Sequence, residues 1–269
     1  MSSSPSALDV LVLAAGKGTR MRSSLPKVLH RLCGRTLIER TIRAIEPLNP
    51  RRIVVMVGFG KDLVEQELAR LREEGIAGSA ELVAVHQKEQ RGTGHAVQVA
   101  LAEISDFSSR LLVLPGDVPL IRTETLSTLV SDESLSQEGI YFLSGIFDDP
   151  SGFGRVVRDA GRRVLSIVED RDCSPEEREL AEINSSMYLF PTAFLRSTIN
   201  QLQSANAQGE LYLTDVIQHG VRADLPVEAF PVANNLEIAG ANNRAELVAL
   251  EDIRREQINR AWMEAGVSM

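Results

Sequence analysis

Blocks of apolar and polar positions follow one another along the first half of the chain and predict strands and helices in turn. Short runs rich in Val, Leu and Ile are each bounded by turn-forming residues. These runs are DVLVLAA (9–15), RIVVMVG (52–58), ELVAVH (81–86) and RLLVLPGD (110–117). Runs this uniformly apolar are typical of strands that are covered on both faces, as in a parallel sheet.

Helical patterns lie between the predicted strands. Thr36 precedes the amphipathic stretch LIERTIRAI and is followed three residues later by Glu39, which predicts a capping box. A second helix is predicted over KDLVEQELARLREEG (61–75). Its inward positions are Leu63, Leu68 and Leu71, and Gly75 is the expected C-terminal cap.

Two further helices, one opening at Gly94 and one over TETLSTLV (123–130), continue the alternation of strands and helices. Alternation at this spacing predicts an α/β fold with a doubly wound, mostly parallel sheet. Such sheets bind ligands beyond the carboxyl ends of their strands. The loop after the first run and Asp117 after the fourth are both expected at that edge.

The second half of the chain has a different pattern. Extended segments between residues 139 and 190 follow one another closely and predict a small mixed-sheet insert, with helices near 194–203 and 214–221. A long helix is predicted from Arg244 to about Ala265. We therefore expect a main domain over residues 1–235 and a C-terminal helical arm over residues 236–269.

The predicted C-terminal helix carries an apolar stripe. Its members are Leu247, Leu250, Ile253, Ile258 and Trp262. Packing of this stripe against the body of the protein is the favoured interpretation, and a partner-binding face is the alternative.

Composition narrows the classes of protein that fit. Among 269 residues, 43% are hydrophobic and 25% are charged, which is typical of a soluble globular protein. The formal net charge of -8 argues against duplex nucleic acid as a partner, but it does not exclude a nucleotide.

The opening MSSSPSA has neither the basic nor the apolar part of a signal peptide. No run is apolar enough to span a membrane. Cys33 and Cys173 are too few for a disulfide framework, so we expect a cytoplasmic protein.

The stretch LVLAAGKGTRMRSSLPKVLH (11–30) holds the first candidate chemistry. It is not a Walker A loop, because no glycine stands five residues before Lys17, and the dinucleotide fingerprint fails at Met21. The small residues Ala14, Ala15 and Gly16 nevertheless allow a ligand to approach the backbone.

Three cations, Lys17, Arg20 and Lys27, lie around the same loop. Unlike cations above a small-residue backbone suit a triphosphate. The alternative is that Lys17 and Arg20 are surface charges on a turn.

Several motifs carry a resemblance that covers nearly the whole chain. They are LAAGKGTRM, LPKVLH, QRGTGHA (90–96), GDVPL (116–120), GFGRVVRD (152–159), IVEDRD (167–172), EIN (182–184), NAQGELYLTD (206–215) and NNR (242–244). Together they resemble the sugar-nucleotide pyrophosphorylases, and in detail the uridyltransferase half of the bacterial bifunctional N-acetylglucosamine-1-phosphate uridyltransferases. The resemblance implies a Rossmann-like nucleotidyltransferase fold for residues 1–235, with residues 139–190 binding the sugar.

The resemblance also implies a reaction, in which UTP and N-acetylglucosamine-1-phosphate give UDP-N-acetylglucosamine, a cell-wall precursor, and pyrophosphate. The substrates bring about six negative charges. Each pair of unit like charges ~4 Å apart repels by roughly 4 kcal/mol at an effective dielectric near 20. A divalent cation is therefore expected, and oxygen ligands favour Mg²⁺.

By resemblance, Asp117 and Asn242 are the Mg²⁺ ligands, and Arg20 and Lys27 are catalytic. Capping roles are the alternatives for Asp117 and Asn242, although Asn243 could cap the following helix and leave Asn242 free. The four histidines lack zinc-type spacing and are interpreted as structural or incidental.

The implied substrate-binding residues fall into two sets. The nucleotide set is Leu13, Ala14, Ala15, Gly16, Lys17, Gln87, Gly92, Thr93 and Gly116. The sugar set is Gly154, Glu169 and Asn184, and Asn242 is assigned to substrate as well as to metal.

The chain departs from the family pattern at several points. Ser185 and Ser186 follow EIN where the family usually has Thr-Gly. Pro115 stands where an aromatic or small residue is frequent, and Leu211 stands where an aromatic residue is frequent. The 269 residues contain no hexapeptide repeats of an acetyltransferase, so acetyl transfer is not expected of them.

Sugar selectivity is left open, as is oligomeric state, with a monomer as one option. The alternatives are a sister enzyme that uses another sugar phosphate or nucleotide, and a non-catalytic nucleotide-binding module.

Overall fold

The computed structural model describes residues 8–269, and the serine-rich opening, in which no signal peptide is predicted, lies outside the described residues. The parallel strands of the first half are β1 (Leu8–Leu13), β4 (Arg52–Val57), β5 (Glu81–His86) and β6 (Arg110–Pro115). A separate small antiparallel hairpin is formed by β2 (Arg31–Leu32) and β3 (Arg35–Thr36). The four predicted strands are confirmed.

Helices cover both faces of these strands, as predicted for a doubly wound sheet. The first-half helices are α1 (Leu37–Ile45), α2 (Lys61–Glu73), α3 (Thr93–Glu103) and α4 (Thr123–Val130). Val10 and Val12 belong to the core on the face of α1, α2 and α4, whereas Leu11 belongs to the core on the face of α3. Successive side chains of a strand point to opposite faces, which is why apolar residues occupy successive positions in the middle of these strands.

Only half of the predicted capping box at α1 forms. The Glu39 amide donates to Thr36 Oγ1 at 3.2 Å, but the Glu39 carboxylate accepts from Arg43 Nε at 2.9 Å and from Arg70 Nη2 at 2.8 Å. Burial opposes ionisation of Glu39, and the two guanidinium groups outweigh burial and hold the pKa of the carboxyl below its usual value. The predicted return bond was wrong because nearby arginines compete for the same oxygens.

The predicted inner face of α2 was also wrong at one position. Val64, Leu68 and Leu71 are buried, and Leu63 is 45% exposed. Val64, Leu68 and Leu71 are spaced four and three residues apart and share one helical face, whereas Leu63 lies beside it. Gly75 follows the helix with a φ of +68°, as expected of a C-terminal cap.

The strands of the second half join the same sheet. They are β7 (Ile140–Ile146), β8 (Arg155–Arg158), β9 (Val164–Val168), β10 (Glu182–Pro191) and β11 (Val227–Pro231). Within the described residues the sheet has nine strands in the order β11-β7-β10-β6-β1-β4-β5, and the β8–β9 hairpin branches from β10. Antiparallel pairing of β10 with β6 makes the mixed part continuous with the parallel part.

The remaining helices are α5 (Pro175–Arg178), α6 (Thr192–Thr198), α7 (Asp215–Arg222) and α8 (Arg244–Glu264). Along α8 the predicted stripe packs at Leu250, which is buried, and at Leu247 and Ile253, which contact the same small cluster. Trp262 is 55% exposed, so the packing stops before the end of the helix. None of the helices in residues 8–269 has the length and apolar character needed to cross a membrane.

Candidate active site

The loop after β1 is held between its neighbours by backbone hydrogen bonds. The Ala14 amide donates to Met56 O at 3.1 Å, and the Gly116 amide donates to Leu13 O at 3.0 Å. Gly18 has a φ of +56°, and a Cβ there would lie 2.8 Å from the Lys27 Cβ. The loop therefore requires glycine at position 18, both for its conformation and for the close approach of Lys27.

A cavity of about 260 Å³ opens above this loop. It is lined by Leu13, Ala14, Gly16, Gly18, Thr19, Arg20, Lys27, Val28 and Asp117. Of the nine residues in the predicted nucleotide set, Leu13, Ala14 and Gly16 line it. The six that do not are Ala15, which is buried, Lys17, which is exposed to solvent, Gln87, Gly92, Thr93 and Gly116. A Cβ at Gly16 would meet nothing within 4 Å, so the space beside that backbone is open.

Three residues that line this cavity, Arg20, Lys27 and Asp117, meet Asn242 from the C-terminal part of the chain. Lys27 Nζ contacts Asp117 Oδ2 and donates to Asn242 Oδ1 at 2.9 Å. Arg20 Nη2 donates to the same amide oxygen at 3.1 Å. Asp117 lies just past the end of β6, and Asn242 lies just before α8. The structure thus brings together both predicted metal ligands and both predicted catalytic cations.

The Asn242 side chain is free to contact Arg20 and Lys27 because another residue caps α8. Asn243 is the N-terminal cap, and its side chain accepts from the Glu246 amide at 3.0 Å. Glu246 Oε2 accepts from the backbone N–H of Asn242 at 2.8 Å, and the backbone N–H of Ala241 donates to Asp117 O at 3.2 Å. Backbone contacts thereby fix the segment, and the Asn242 side chain faces the cavity cations.

Gln87, which is predicted to bind the base of the nucleotide, directly follows β5. Gln87 is 3% exposed, and its Nε2 donates to Gly92 O at 3.2 Å and lies 3.0 Å from His95 Nδ1. A carbonyl oxygen can only accept, so the NH₂ end of the amide faces Gly92 and Oε1 lies on the other side. His95, interpreted from the sequence as structural or incidental, thus contacts a predicted base-reading residue. Its place in QRGTGHA was the only signal for this contact.

Gly92 and Thr93 join this group to the segment NAQGELYLTD. Gly92 has a φ of +102°, and a Cβ there would lie 2.6 Å from Leu211 O. Thr93 Oγ1 accepts from the Leu213 amide at 3.2 Å, and the Gly94 amide donates to Leu211 O at 2.8 Å. The two motifs are therefore held against each other.

The predicted sugar-binding residues lie together, with Gly154 directly before β8, Glu169 directly after β9 and Asn184 on β10. The Asn184 amide donates to Gly154 O at 2.8 Å, and a Cβ on Gly154 would lie 3.6 Å from Glu169 Oε2. Asn184 Nδ2 donates to Tyr188 OH at 2.6 Å. In the sheet order this group lies beyond β6 and Gln87 lies beyond β4, so they flank the cavity from opposite sides.

Glu169 lies in an acidic environment. Burial raises the pKa of its carboxyl, the hydrogen bond from Thr214 Oγ1 at 3.0 Å opposes this, and Asp215 and Asp172 add to the rise. Hydrogen-bond donors on a ligand would favour the ionised form, because they stabilise the charge that burial destabilises. Sequence reasoning did not assign Thr214, Asp172 or Asp215 a role here.

Ser186 lies in an irregular part of β10 between Asn184 and Tyr188, where the pairing with β7 shifts register. Its φ is +63°, a left-handed conformation that glycine adopts without strain. The neighbouring Ser185 is buried, and its Oγ donates to Leu143 O at 2.7 Å. The departure from Thr-Gly at these positions therefore places a side chain on a backbone that suits glycine.

Comparisons with known proteins find relatives of the chain. A family model described as the MobA-like NTP transferase domain matches residues 10–211. The chain is similar to the bifunctional protein GlmU of Corynebacterium efficiens, with 42% identity over 99% of this chain and 54% of the relative. It is 40% identical to the GlmU of Pelotomaculum thermopropionicum, over 97% of this chain and 55% of the relative. The chain thus spans about half the length of these curated relatives.

A solved structure shares the fold. The crystal structure of UDP-glucose pyrophosphorylase complexed with UDP-glucose superposes with a TM-score of 0.74 and 14% identity, and the match covers 93% of this chain and 99% of that one. Similarity at this identity supports the Rossmann-like architecture alone. The family model covers most of the chain, and the chain therefore belongs to the family of MobA-like NTP transferase domains.

Proposed function

We propose that this protein is a uridyltransferase that joins UTP and N-acetylglucosamine-1-phosphate to give UDP-N-acetylglucosamine and pyrophosphate. The contacts among Arg20, Lys27, Asp117 and Asn242, three of which line the cavity above the small-residue loop, carry the proposal. The GlmU relatives support it, since they match nearly the whole chain. Both substrates are small molecules that dissolve in the cytoplasm, where we expect the protein to act and to supply a cell-wall precursor.

The residues present fit a magnesium ion. Asp117 and Asn242 each direct a side-chain oxygen at Lys27 Nζ, so the pair already accommodates one positive charge. No group of three or more His, Cys, Asp or Glu side chains within residues 8–269 could hold a metal. A hard cation bound through two protein oxygens, with phosphate oxygens and water completing its shell, agrees with this set. When bound, such an ion would neutralise charge on the phosphates of UTP.

Arg20 and Lys27 would hold the triphosphate above the backbone of Ala14 and Gly16. An oxygen of the sugar phosphate attacks the α-phosphorus of UTP, and the bond from that phosphorus to the oxygen bridging to the β-phosphate breaks. The electron pair leaves with pyrophosphate, which the two cations stabilise. No protein nucleophile or proton transfer is required, so positioning and charge account for catalysis.

Base and sugar would bind on opposite sides of this centre. Gln87 Oε1 would accept from the N3–H of uracil, because its NH₂ end is already engaged by Gly92 and His95. Gly154, Glu169 and Asn184 would contact the N-acetylglucosamine moiety beyond β6. The distribution of the two groups along the sheet matches a substrate pair that meets at the phosphates.

The test is release of pyrophosphate by the purified protein with Mg²⁺, each nucleoside triphosphate and each sugar-1-phosphate. The proposal predicts the highest kcat/KM with UTP and N-acetylglucosamine-1-phosphate. Ser186 gives a specific reason to include glucose-1-phosphate, because its side chain stands where the family has glycine. Higher kcat/KM with another pair would show a sister enzyme. Binding of UTP without release of pyrophosphate under any pair would show a non-catalytic module.

A further inference from the structure

A second cavity, of about 500 Å³, lies between α1, the segment 119–124, residues 234–237 and α8. It shares no lining residue with the cavity above the loop. The arginines that line it are Arg35, Arg40, Arg43, Arg122 and Arg254. We call it the arginine groove. Such a concentration of cations is notable in a chain whose formal net charge is -8.

Some of these arginines already have carboxylate partners. Arg43 Nε lies 2.9 Å from Glu39 Oε1, Arg35 Nε lies 3.5 Å from the same oxygen, and Arg122 Nε lies 2.9 Å from Glu237 Oε1. Glu39 also pairs with Arg70, so its charge is shared among three cations. The lining carboxylate of Glu124 is exposed to solvent.

Arg40 and Arg254 have no carboxylate partner among the ion pairs of the described residues. Arg40 donates to Leu32 O through Nε at 2.9 Å and Nη2 at 2.6 Å. Arg254 Nη1 donates to Gln257 Oε1 at 3.1 Å, and its Nε is buried with no hydrogen-bond partner within residues 8–269. A buried polar atom without a partner destabilises a fold, so the surroundings of Arg254 leave part of its hydrogen-bonding capacity unused.

The two arginines also repel each other. Burial, and then the charge of Arg254, lower the pKa of Arg40, with a smaller contribution from Arg35. Partly buried cations without an ion-pair partner are unfavourable, and an anion between them would reduce the repulsion.

We propose that the arginine groove binds a phosphorylated small molecule at a site separate from the candidate active site. Guanidinium groups present forked donors that match phosphate oxygens. Leu120 and Leu236 in the lining supply apolar surface for the rest of such a molecule, and the volume is in the range of small-molecule sites. The phosphate would bridge Arg40 and Arg254, with Arg35 at the entrance.

Calorimetric titration with inorganic pyrophosphate, a hexose 6-phosphate and uridine diphosphate, each in excess EDTA, tests the proposal. The variants are Arg254→Glu and Arg35→Glu, and the matched control is Arg255→Glu. Arg255 is adjacent on α8, is 61% exposed and does not line the groove. All three variants change the net charge equally, so general electrostatics cannot separate them.

At least one ligand is expected to bind Arg254→Glu and Arg35→Glu about tenfold or more weakly than wild type, with Arg255→Glu unchanged. Hydrogen exchange with that ligand should show protection of residues 119–124 and 250–257 in wild type but not in Arg254→Glu. Circular dichroism checks folding, and the Arg35 side chain is 49% exposed, so its variant retains a test if Arg254→Glu misfolds. Equal binding of every ligand by all four proteins, or protection confined to residues 14–27, would overturn the proposal.

Discussion

Replacing Ser186 with glycine should stabilise the protein, although glycine substitutions usually destabilise. A left-handed conformation costs a non-glycine residue roughly 1–2 kcal/mol, and Ser186 has a φ of +63°. The greater conformational freedom of glycine in the unfolded chain offsets about 0.5–1 kcal/mol of this gain in stability. The net expectation is a gain of about 0.5–1 kcal/mol, which corresponds to a rise in Tm of roughly 1–3 °C for a chain of this size.

Ser185→Gly is the matched control, since the same chemical change one residue earlier should have the opposite sign. The Ser185 hydroxyl donates to Leu143 O and accepts from the Met187 amide at 3.3 Å, and both bonds are buried. Losing them should cost about 1–3 kcal/mol. Differential scanning calorimetry of the three proteins measures both effects.

The same pair of variants also addresses the sugar pocket. Ser186→Gly should lower or leave unchanged the KM for N-acetylglucosamine-1-phosphate, because it removes a side chain near Asn184. A fall in Tm comparable to that of Ser185→Gly would refute the assignment of strain to Ser186. A large rise in KM would show that the serine contributes a contact to the sugar.

Other substitutions test the candidate site. Asp117→Ala should lower Mg²⁺-dependent turnover at least about 100-fold with the fold intact by circular dichroism, and unchanged turnover would refute metal ligation. Arg20→Ala should reduce kcat by roughly 10–100-fold and change the Kd for UTP much less, because Arg20 faces charge on the leaving phosphates; the role fails if only the Kd changes. Burial raises the pKa of Glu169 in the folded protein above its ordinary value of 4.5. The free energy of unfolding therefore falls as pH rises above 4.5, because the buried carboxyl becomes harder to ionise than in the unfolded chain. Glu169→Gln should therefore raise Tm at about pH 8, lose this advantage below about pH 4, and weaken sugar-phosphate binding; a Tm difference independent of pH would contradict this.

Features set by neighbouring residues could be predicted from the sequence. The apolar runs located the central strands, and Gly75 marked the end of α2 because a helix cap depends on local backbone conformation. The cap of α8 was narrowed to Asn242 or Asn243 for the same reason, and Asn243 is the cap. Such signals involve residues only a few positions apart.

Features set by distant contacts could not be derived this way. The Glu39 carboxylate turned to Arg70, which is supplied by a different helix, and the inner face of α2 was fixed by packing that placed Val64 rather than Leu63 in the core. The meeting of Lys27 with Asn242, which are 215 residues apart, followed from family resemblance alone. The positive φ of Ser186 became visible only once the irregular pairing of β10 was known.

The most direct test of the central claim is a crystal structure with UTP and Mn²⁺, which replaces Mg²⁺ on oxygen ligands and gives an anomalous signal. The account predicts one anomalous peak between the side-chain oxygens of Asp117 and Asn242. It also predicts that the triphosphate lies above Ala14 and Gly16 within reach of Lys27. A peak bound elsewhere, or a nucleotide seated away from that loop, would contradict it.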